Sequence, residues 1–270
     1  MKIAHLSDLH FGKSISHQKL DALTHDLIEQ KPDLIVVTGD ITDRGNVKQF
    51  RQAKDFLDST SSPRLIVPGN REVPLFAPWE LTIPSMSMRR YRFFFGQSDR
   101  VFYKSEKYKT VLLGLNSVSR FPSWPGSIAR DSRYWFREQV QNHLNYLKVL
   151  FLHHPILPVL RASSFWAHQL SDASAILTIC AQFRVQLILQ GHKHRSSVVE
   201  LRIPEMKVSM VVSSCGSPLL DSWDSAYHLI KIGNDTIRIE PREFVGGIFS
   251  GKTEHAFERL GIDTFDPVSP

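Results

Sequence analysis

Five short apolar runs in this chain each end on residues whose side chains bind metal ions. Lys2–Leu6 is followed by Ser7-Asp8-Leu9-His10, and Leu34–Thr38 by Gly39-Asp40. Arg64–Pro68 leads into Gly69-Asn70-Arg71-Glu72, Lys148–Leu152 into His153-His154-Pro155, and Val185–Gln190 into Gly191-His192-Lys193-His194. Carboxylate, amide and imidazole groups gathered from five places make a composite metal site. That donor mixture suits Mn, Fe, Zn or Co and does not select among them.

The runs also say what must position these groups. A continuous β-branched run bounded by polar residues fits a strand buried on both faces, and in open α/β sheets functional groups collect beyond the carboxyl ends of such strands. Apolar spacing predicts helices over His17–Gln30, Val47–Leu57, Tyr134–Leu147 and Ser171–Phe183, with a short one over Met88–Gly96. Asn46 is read as an N-cap, with Gln49 completing a capping box. Arg100–Lys104 and Tyr108–Asn116 read as a hairpin, and Val73–Pro84 as a loop. From Val198 onward the text shortens into Val198–Leu201, Lys207–Ser213, Ala226–Ile232 and Thr236–Glu240, expected to form a largely antiparallel second sheet. Each sheet has to bury a face, so the economical α/β architecture packs two mixed sheets face to face with helices outside. Residues 1–240 are assigned to one domain, and 241–270 to a C-terminal extension that is partly ordered at most.

The 270 residues, 42% hydrophobic and 22% charged, are ordinary for a globular chain, and no apolar run approaches the ~20 residues of a membrane helix. No signal-peptide core precedes Asp8, and Cys180 and Cys215 give no disulfide framework, which together point to a cytoplasmic protein. The net charge of +6 fits attraction of phosphorylated substrates or peripheral contact with anionic membrane. The positive residues are spread along the chain, so no stable nucleic-acid complex is expected.

In order, Asp8-x-His10, Gly39-Asp40, Gly69-Asn70, His153-x-Pro155 and Gly191-His192-x-His194 resemble the signature of the calcineurin-like metallophosphoesterases, over roughly residues 3 to 240. The flanking text, including His5–Gly12 and Gly114-Leu-Asn-Ser117, is most similar to the cyclic-nucleotide phosphodiesterase-like branch. The resemblance implies a four-layer α/β/β/α metallophosphatase fold with two divalent or trivalent metal ions. Asp8, His10 and His194 would complete one site, and Asn70, His153 and His192 the other. Asp40 would bridge them, at the ~3.5–4 Å separation used by two-metal hydrolases. His154 is left out, because the family's ligand is the His two before the Pro. The implied reaction is attack by a hydroxide shared between the ions on a small phosphorylated substrate of nucleotide type, at a phosphodiester or diphosphate bond.

The resemblance departs at one position. The family's third motif reads Gly-Asn-His followed by an acid, and its His serves the leaving oxygen; this chain has Arg71 there. Arginine stays protonated and cannot be a general acid, but its fork can clamp a phosphate and stabilise transition-state charge. The UDP-diacylglucosamine pyrophosphohydrolases of lipid A synthesis also carry Arg at this place, which makes that activity an alternative. A second alternative is a metal-binding, non-catalytic scaffold. The remaining histidines, 5, 17, 25, 143, 168, 228 and 255, are assigned surface or core hydrogen-bonding roles, and Asp43 and Asn116 are read as turn residues. Arg89–Phe95 is read as an amphipathic segment with a buried Phe face, and Trp124 and Trp135 match no motif.

Overall fold

The computed structural model describes residues 1–73, 88–96, 99–118, 125–159, 169–221 and 224–259. The expected loop over Val73–Pro84 lies almost wholly outside them, as do His168 and Trp124.

Strand side chains alternate between faces, and here both faces are buried. In β1 (Lys2–Leu6), Ile3 faces one apolar cluster while Ala4 and Leu6 face another; in β2 (Leu34–Thr38), Leu34 and Val36 join Ile3 while Ile35 and Val37 join Ala4. This explains why these segments read as unbroken apolar runs. The first sheet pairs β1 with β2 and β2 with β3 (Arg64–Val67), all parallel. On the other side β1 pairs antiparallel with β10 (Ala226–Ile232), followed outward by β11 (Thr236–Val245), to which β12 (Ile248–Gly251) and β13 (His255–Glu258) both add. The second sheet runs in the order β4 (Arg100–Ser105), β5 (Thr110–Leu115), β6 (Leu147–Phe151), β7 (Leu187–Gln190), β9 (Val208–Ser214), β8 (Ser197–Ile203).

Three apolar layers follow. Ile3, Val36, Val67, Val149, Phe151, Leu189 and Ile230 come from both sheets and form the layer between them. Outside the first sheet lie α1 (His17–Gln30) and α2 (Val47–Ser59), burying Leu23, Leu27, Phe50 and Phe56; outside the second lie α4 (Arg130–Asn142) and α5 (Ala173–Gln182), burying Phe136, Val140 and Ile176. α3 (Arg89–Phe95) buries Tyr91 and packs Phe94 and Phe95 on the first core, while Phe93 is 82% exposed, so the buried face is not simply the phenylalanine run. The result is the expected α/β/β/α order.

Four expectations change. The four late strands do not form one sheet, because β8 and β9 join the second sheet whereas β10 and β11 extend the first beyond β1. The boundary at residue 240 falls inside β11, and residues 241–258 are largely strand: Gly246 and Gly247, with φ of 63° and 93°, make the tight turn that pairs Val245 with Ile248. The helix expected over Tyr134–Leu147 sits earlier, over Arg130–Asn142, and the turn that follows it offers the carbonyls of His143, Leu144 and Tyr146 to Lys148 Nζ. Asn46 does cap α2, accepting from Gln49 N at 3.0 Å, but the Gln49 side chain turns to Arg44 N at 2.9 Å rather than closing a box.

Candidate metal centre

Every strand that ends at a motif delivers its residues to one rim. Immediately beyond the strands the backbone turns sharply: Asp8, His10, Asp40, His192 and His194 all have positive φ, between 47° and 71°. This left-handed region costs a non-glycine residue on the order of 1 kcal/mol, so five instances at motif residues mark a constrained site. The glycine before Asn70 has a separate reason. A Cβ at Gly69 would lie 2.3 Å from both the nitrogen and Oδ1 of Asp40, so the two loops meet backbone against backbone.

Two groups of side chains converge. In one, His10 Nε2 lies 3.0 Å from His194 Nε2 and 3.8 Å from Asp8 Oδ1 and from Asp40 Oδ2, and His194 Nε2 lies 3.1 Å from Asp8 Oδ1. In the other, Asn70 Oδ1 is 3.1 Å from His153 Nε2 and 3.0 Å from His192 Nδ1, and His153 Nε2 is 3.4 Å from Asp40 Oδ1. Asp8, His10, Asp40 and His194 on one side, and Asp40, His153 and His192 on the other, each bring potential ligand atoms within 4.8 Å of one another. Asp40 belongs to both.

Neighbouring groups fix the orientation of these side chains. Asp8 Oδ2 accepts from His192 N at 2.9 Å and from Ser7 Oγ at 2.5 Å, which leaves Oδ1 facing the imidazoles. His153 Nδ1–H donates to the Thr38 carbonyl at 2.7 Å, so Nε2 presents its lone pair to the centre. Asp40 Oδ1 accepts from Arg71 N at 2.8 Å. Beneath it, buried Glu72 accepts from Thr42 N, Thr42 Oγ1 and Gly69 N at 2.7–3.0 Å, tying the second and third motif loops together. Ser7, Thr38 and Thr42 carry no motif of their own, and only adjacency to Asp8 and to Gly39-Asp40 marks them in the sequence.

Electrostatics match a cation site. Burial works against ionising Asp8, but the facing imidazoles, His194 foremost, hold its carboxyl well below the usual range. Burial raises Asp40, with the Asp8 charge adding to it, and pushes Glu72 up to about 8. His10 is pushed down to about 2 and His192 is lowered, both by desolvation first, so these rings are neutral ligands in waiting. Asp8 Oδ1 is buried and accepts no well-aligned hydrogen bond among the described residues, although His194 Nε2 stands 3.1 Å away. Imidazole nitrogens 3.0–3.1 Å apart beside two buried carboxylates suit divalent metal ions.

The adjacent histidines His153 and His154 have different surroundings. His154 Nδ1 lies 3.0 Å from Ser117 Oγ, and its ring packs 4.8 Å from that of His192, behind the convergent atoms. Asn116 Oδ1 accepts from Val118 N at 2.8 Å, and Asp43 lies 3.4 Å from Arg44 and 4.0 Å from Lys13, which keeps both as turn residues. Arg71 is partly buried, its guanidinium pairs with no carboxylate among the described residues, and its charge contributes to lowering His10. His17, His25 and His255 are exposed, whereas His5 and His228 are fully buried.

A profile of the calcineurin-like phosphoesterases matches residues 1–196. The chain belongs to the calcineurin-like phosphoesterase family. Among curated relatives of this phosphoesterase, a probable cyclic nucleotide phosphodiesterase of Xenorhabdus bovienii is 24% identical over 245 residues, covering 86% of this chain and 91% of its own length. The glycerophosphodiester phosphodiesterase GpdQ of Enterobacter lignolyticus is 24% identical over 221 residues, covering 75% and 74%. A dimetal phosphatase from Danio rerio has the same fold, with a TM-score of 0.63 at 13% identity over 96% of this chain and 98% of the other. The protein is therefore a metal-dependent hydrolase of phosphoric esters. No helix among its described residues is long and apolar enough to cross a membrane.

Proposed function

We propose that this phosphoesterase is a dinuclear enzyme that cleaves a phosphodiester or diphosphate bond of a small, nucleotide-type substrate. The observation that carries this reading is Asp40, whose two oxygens face two different clusters, Oδ2 toward His10 and Oδ1 toward His153. Asp8, His10, Asp40 and His194 would hold one ion, and Asp40, Asn70, His153 and His192 the other. When bound, such ions acidify water and neutralise phosphoryl oxygens. The ligand set itself carries only the two negative charges of Asp8 and Asp40, so a pair of divalent cations leaves the rim positive and suited to an anionic phosphate. The scaffold alternative differs in one respect, since it predicts metal binding without turnover of any phosphoric ester.

Arg71 narrows the substrate. Its backbone N–H braces Asp40, and its guanidinium, free of a carboxylate partner among the described residues, is available to bind a phosphate through two parallel hydrogen bonds. It cannot deliver a proton. A cyclic nucleotide or alkyl diester expels an alkoxide that needs one as the bond breaks, whereas a diphosphate expels a phosphate monoester whose pKa of about 6 lets it depart with charge neutralisation alone. Diphosphates and aryl phosphodiesters are accordingly the preferred substrates. Arg71 also favours the UDP-diacylglucosamine pyrophosphohydrolase reading as a second choice.

The test is kcat/KM for a sugar-nucleotide diphosphate, an aryl phosphodiester and a cyclic nucleotide with one metal, on the wild type and Arg71→His. The diphosphate and aryl ester should turn over much faster on the wild type, and Arg71→His, with a titratable donor, should narrow the gap. Faster wild-type cleavage of the cyclic nucleotide would overturn the assignment and support the activity for which the bacterial relatives are named.

A further inference from the structure

The layer between the sheets changes character in its top row. Along β1 the inward side chains run Ile3 then His5, along β2 Val36 then Thr38, along β9 Val211 then Ser213, and, reading toward the rim, along β10 Ile230 then His228. Four strands thus switch from aliphatic to polar at the level just beneath the metal centre. The polar members are all buried with 0% exposure. Burying unpaired polar groups costs several kcal/mol, so such a row persists only if its hydrogen bonds close.

They do close, in a single chain. Thr38 Oγ1 is 3.0 Å from His5 Nε2; His5 Nδ1 is 3.2 Å from Ser213 Oγ; Ser213 Oγ is 2.7 Å from His228 Nδ1; His228 Nε2 is 2.7 Å from Ser196 Oγ. One consistent assignment has Ser196 Oγ–H donating to His228 Nε2, His228 Nδ1–H to Ser213 Oγ, Ser213 Oγ–H to His5 Nδ1, and His5 Nε2–H to Thr38 Oγ1, with each ring neutral. Burial pushes both imidazoles down, His228 to about 3, which keeps positive charge out of the row. The chain crosses from one sheet to the other: Thr38, His5 and His228 belong to the first, Ser213 to the second, and Ser196 directly precedes β8 of the second.

The metal centre straddles the same gap. Asp8, His10, Asp40 and Asn70 follow strands of the first sheet, and His153, His192 and His194 follow strands of the second. Aliphatic packing is non-directional and tolerates small sliding of one sheet over the other, whereas a closed hydrogen-bond chain does not. Its last member, Thr38, also supplies the carbonyl that sets the tautomer of His153 and leads directly into Gly39-Asp40. We propose that His5, Ser213 and His228 form a polar pin that fixes the register of the two sheets, and that His5 and Ser213 are positioning residues of the metal centre acting through Thr38. The inference rests on the metal reading given above.

The experiment measures Zn²⁺ affinity of the metal-free full-length chain by competition with a chromophoric chelator, alongside its melting temperature. His5→Leu should weaken Zn²⁺ binding by roughly 10–100-fold, the usual effect of removing a partner that orients a ligand. His5→Gln, whose amide can bridge the same two hydroxyls, should recover most of that loss. Ser213→Ala, on the opposite sheet and away from every ligand atom, should weaken binding in the same direction and serves if His5→Leu does not fold. Wild-type affinity in Ser213→Ala and His5→Leu would overturn the pin, as would equal loss in His5→Gln and His5→Leu, which would make side-chain volume the cause. A wild-type chain that takes up no Zn²⁺ would overturn the metal reading together with the pin, a result distinct from either.

Discussion

The two sheets contribute unequal chemistry to the rim they share. The first sheet supplies both carboxylates, Asp8 and Asp40, together with the imidazole of His10, the amide of Asn70 and the Arg71 cation; the second supplies imidazoles only, His153, His192 and His194. Negative charge to balance bound ions would therefore come from one side alone, whereas both sides would offer neutral donors. The support differs too. On the first sheet, Glu72 and the Gly69–Asp40 backbone contact lock one motif loop to the next; on the second, ligand orientation depends on contacts across the gap, with His153 held by the Thr38 carbonyl and His192 N by Asp8. A site divided in this way loses most when the charged half is altered.

The largest expected effect follows directly. Asp40→Asn removes the charge common to both clusters and should abolish turnover, with loss of at least one metal equivalent by elemental analysis and an unchanged far-UV spectrum. His192→Ala, on the neutral side, should also silence the enzyme but retain the ion held by Asp8, His10 and His194. Greater metal loss in His192→Ala than in Asp40→Asn would break the comparison. Arg71→Ala comes next: kcat should fall on the order of 10²-fold with metal content unchanged, the typical cost of one positioned electrostatic donor, and Arg71→Lys should recover little because a point charge cannot replace the fork. Equal rates in wild type and Arg71→Ala on the best substrate would reduce Arg71 to a bystander.

The smallest effect concerns the gap itself. An unfolded His228 takes up a proton below its ordinary value of 6.5, but the folded one does so only near 3. Between these values the unfolded chain binds more protons, so stability is intact above pH 6.5 and declines as pH falls toward 3. At pH 5 the loss from this residue is about 2 kcal/mol, at ~1.36 kcal/mol per pH unit. Denaturant titrations of the metal-free protein at pH 7 and pH 5 should show it, and His228→Gln should show a correspondingly smaller drop. A pH response identical in the two proteins would refute a neutral buried His228.

Much of the site was legible in the sequence because local pattern decides it. A buried strand, a glycine where two loops touch, and a ligand just beyond the strand end are all short-range features, and Asp40 stood out for that reason. The choice of His153 over its neighbour rests on the family resemblance, because the strand-end pattern alone does not distinguish two adjacent histidines. Sheet membership was not legible: Ala226–Ile232 reads the same whether it pairs with β9 or with β1, since pairing is a long-range matter. The C-terminal strands were missed although Val245-Gly-Gly-Ile248 carries a hairpin signal, because Pro241 and the charges around it suppress the apolar alternation of an exposed edge strand. His5 and His228 were assigned to hydrogen-bonding roles one by one. That they form one chain depends on contacts between residues more than 200 positions apart, and no spacing rule reaches that far.

On the two-ion reading proposed above, Asp40's double membership would also shape how the enzyme fills with metal. Once one ion had drawn on this carboxylate, the second would meet a partly neutralised bridge and a neighbouring positive charge, so the second equivalent would bind more weakly than the first. The cluster that also contains Asp8 has the larger negative charge and would fill first; the cluster with Asn70 would fill last. Turnover would then track the weaker step, and the fraction of working enzyme would respond to free metal concentration near that second affinity. A single shared carboxylate would thereby make catalytic output a readout of metal supply.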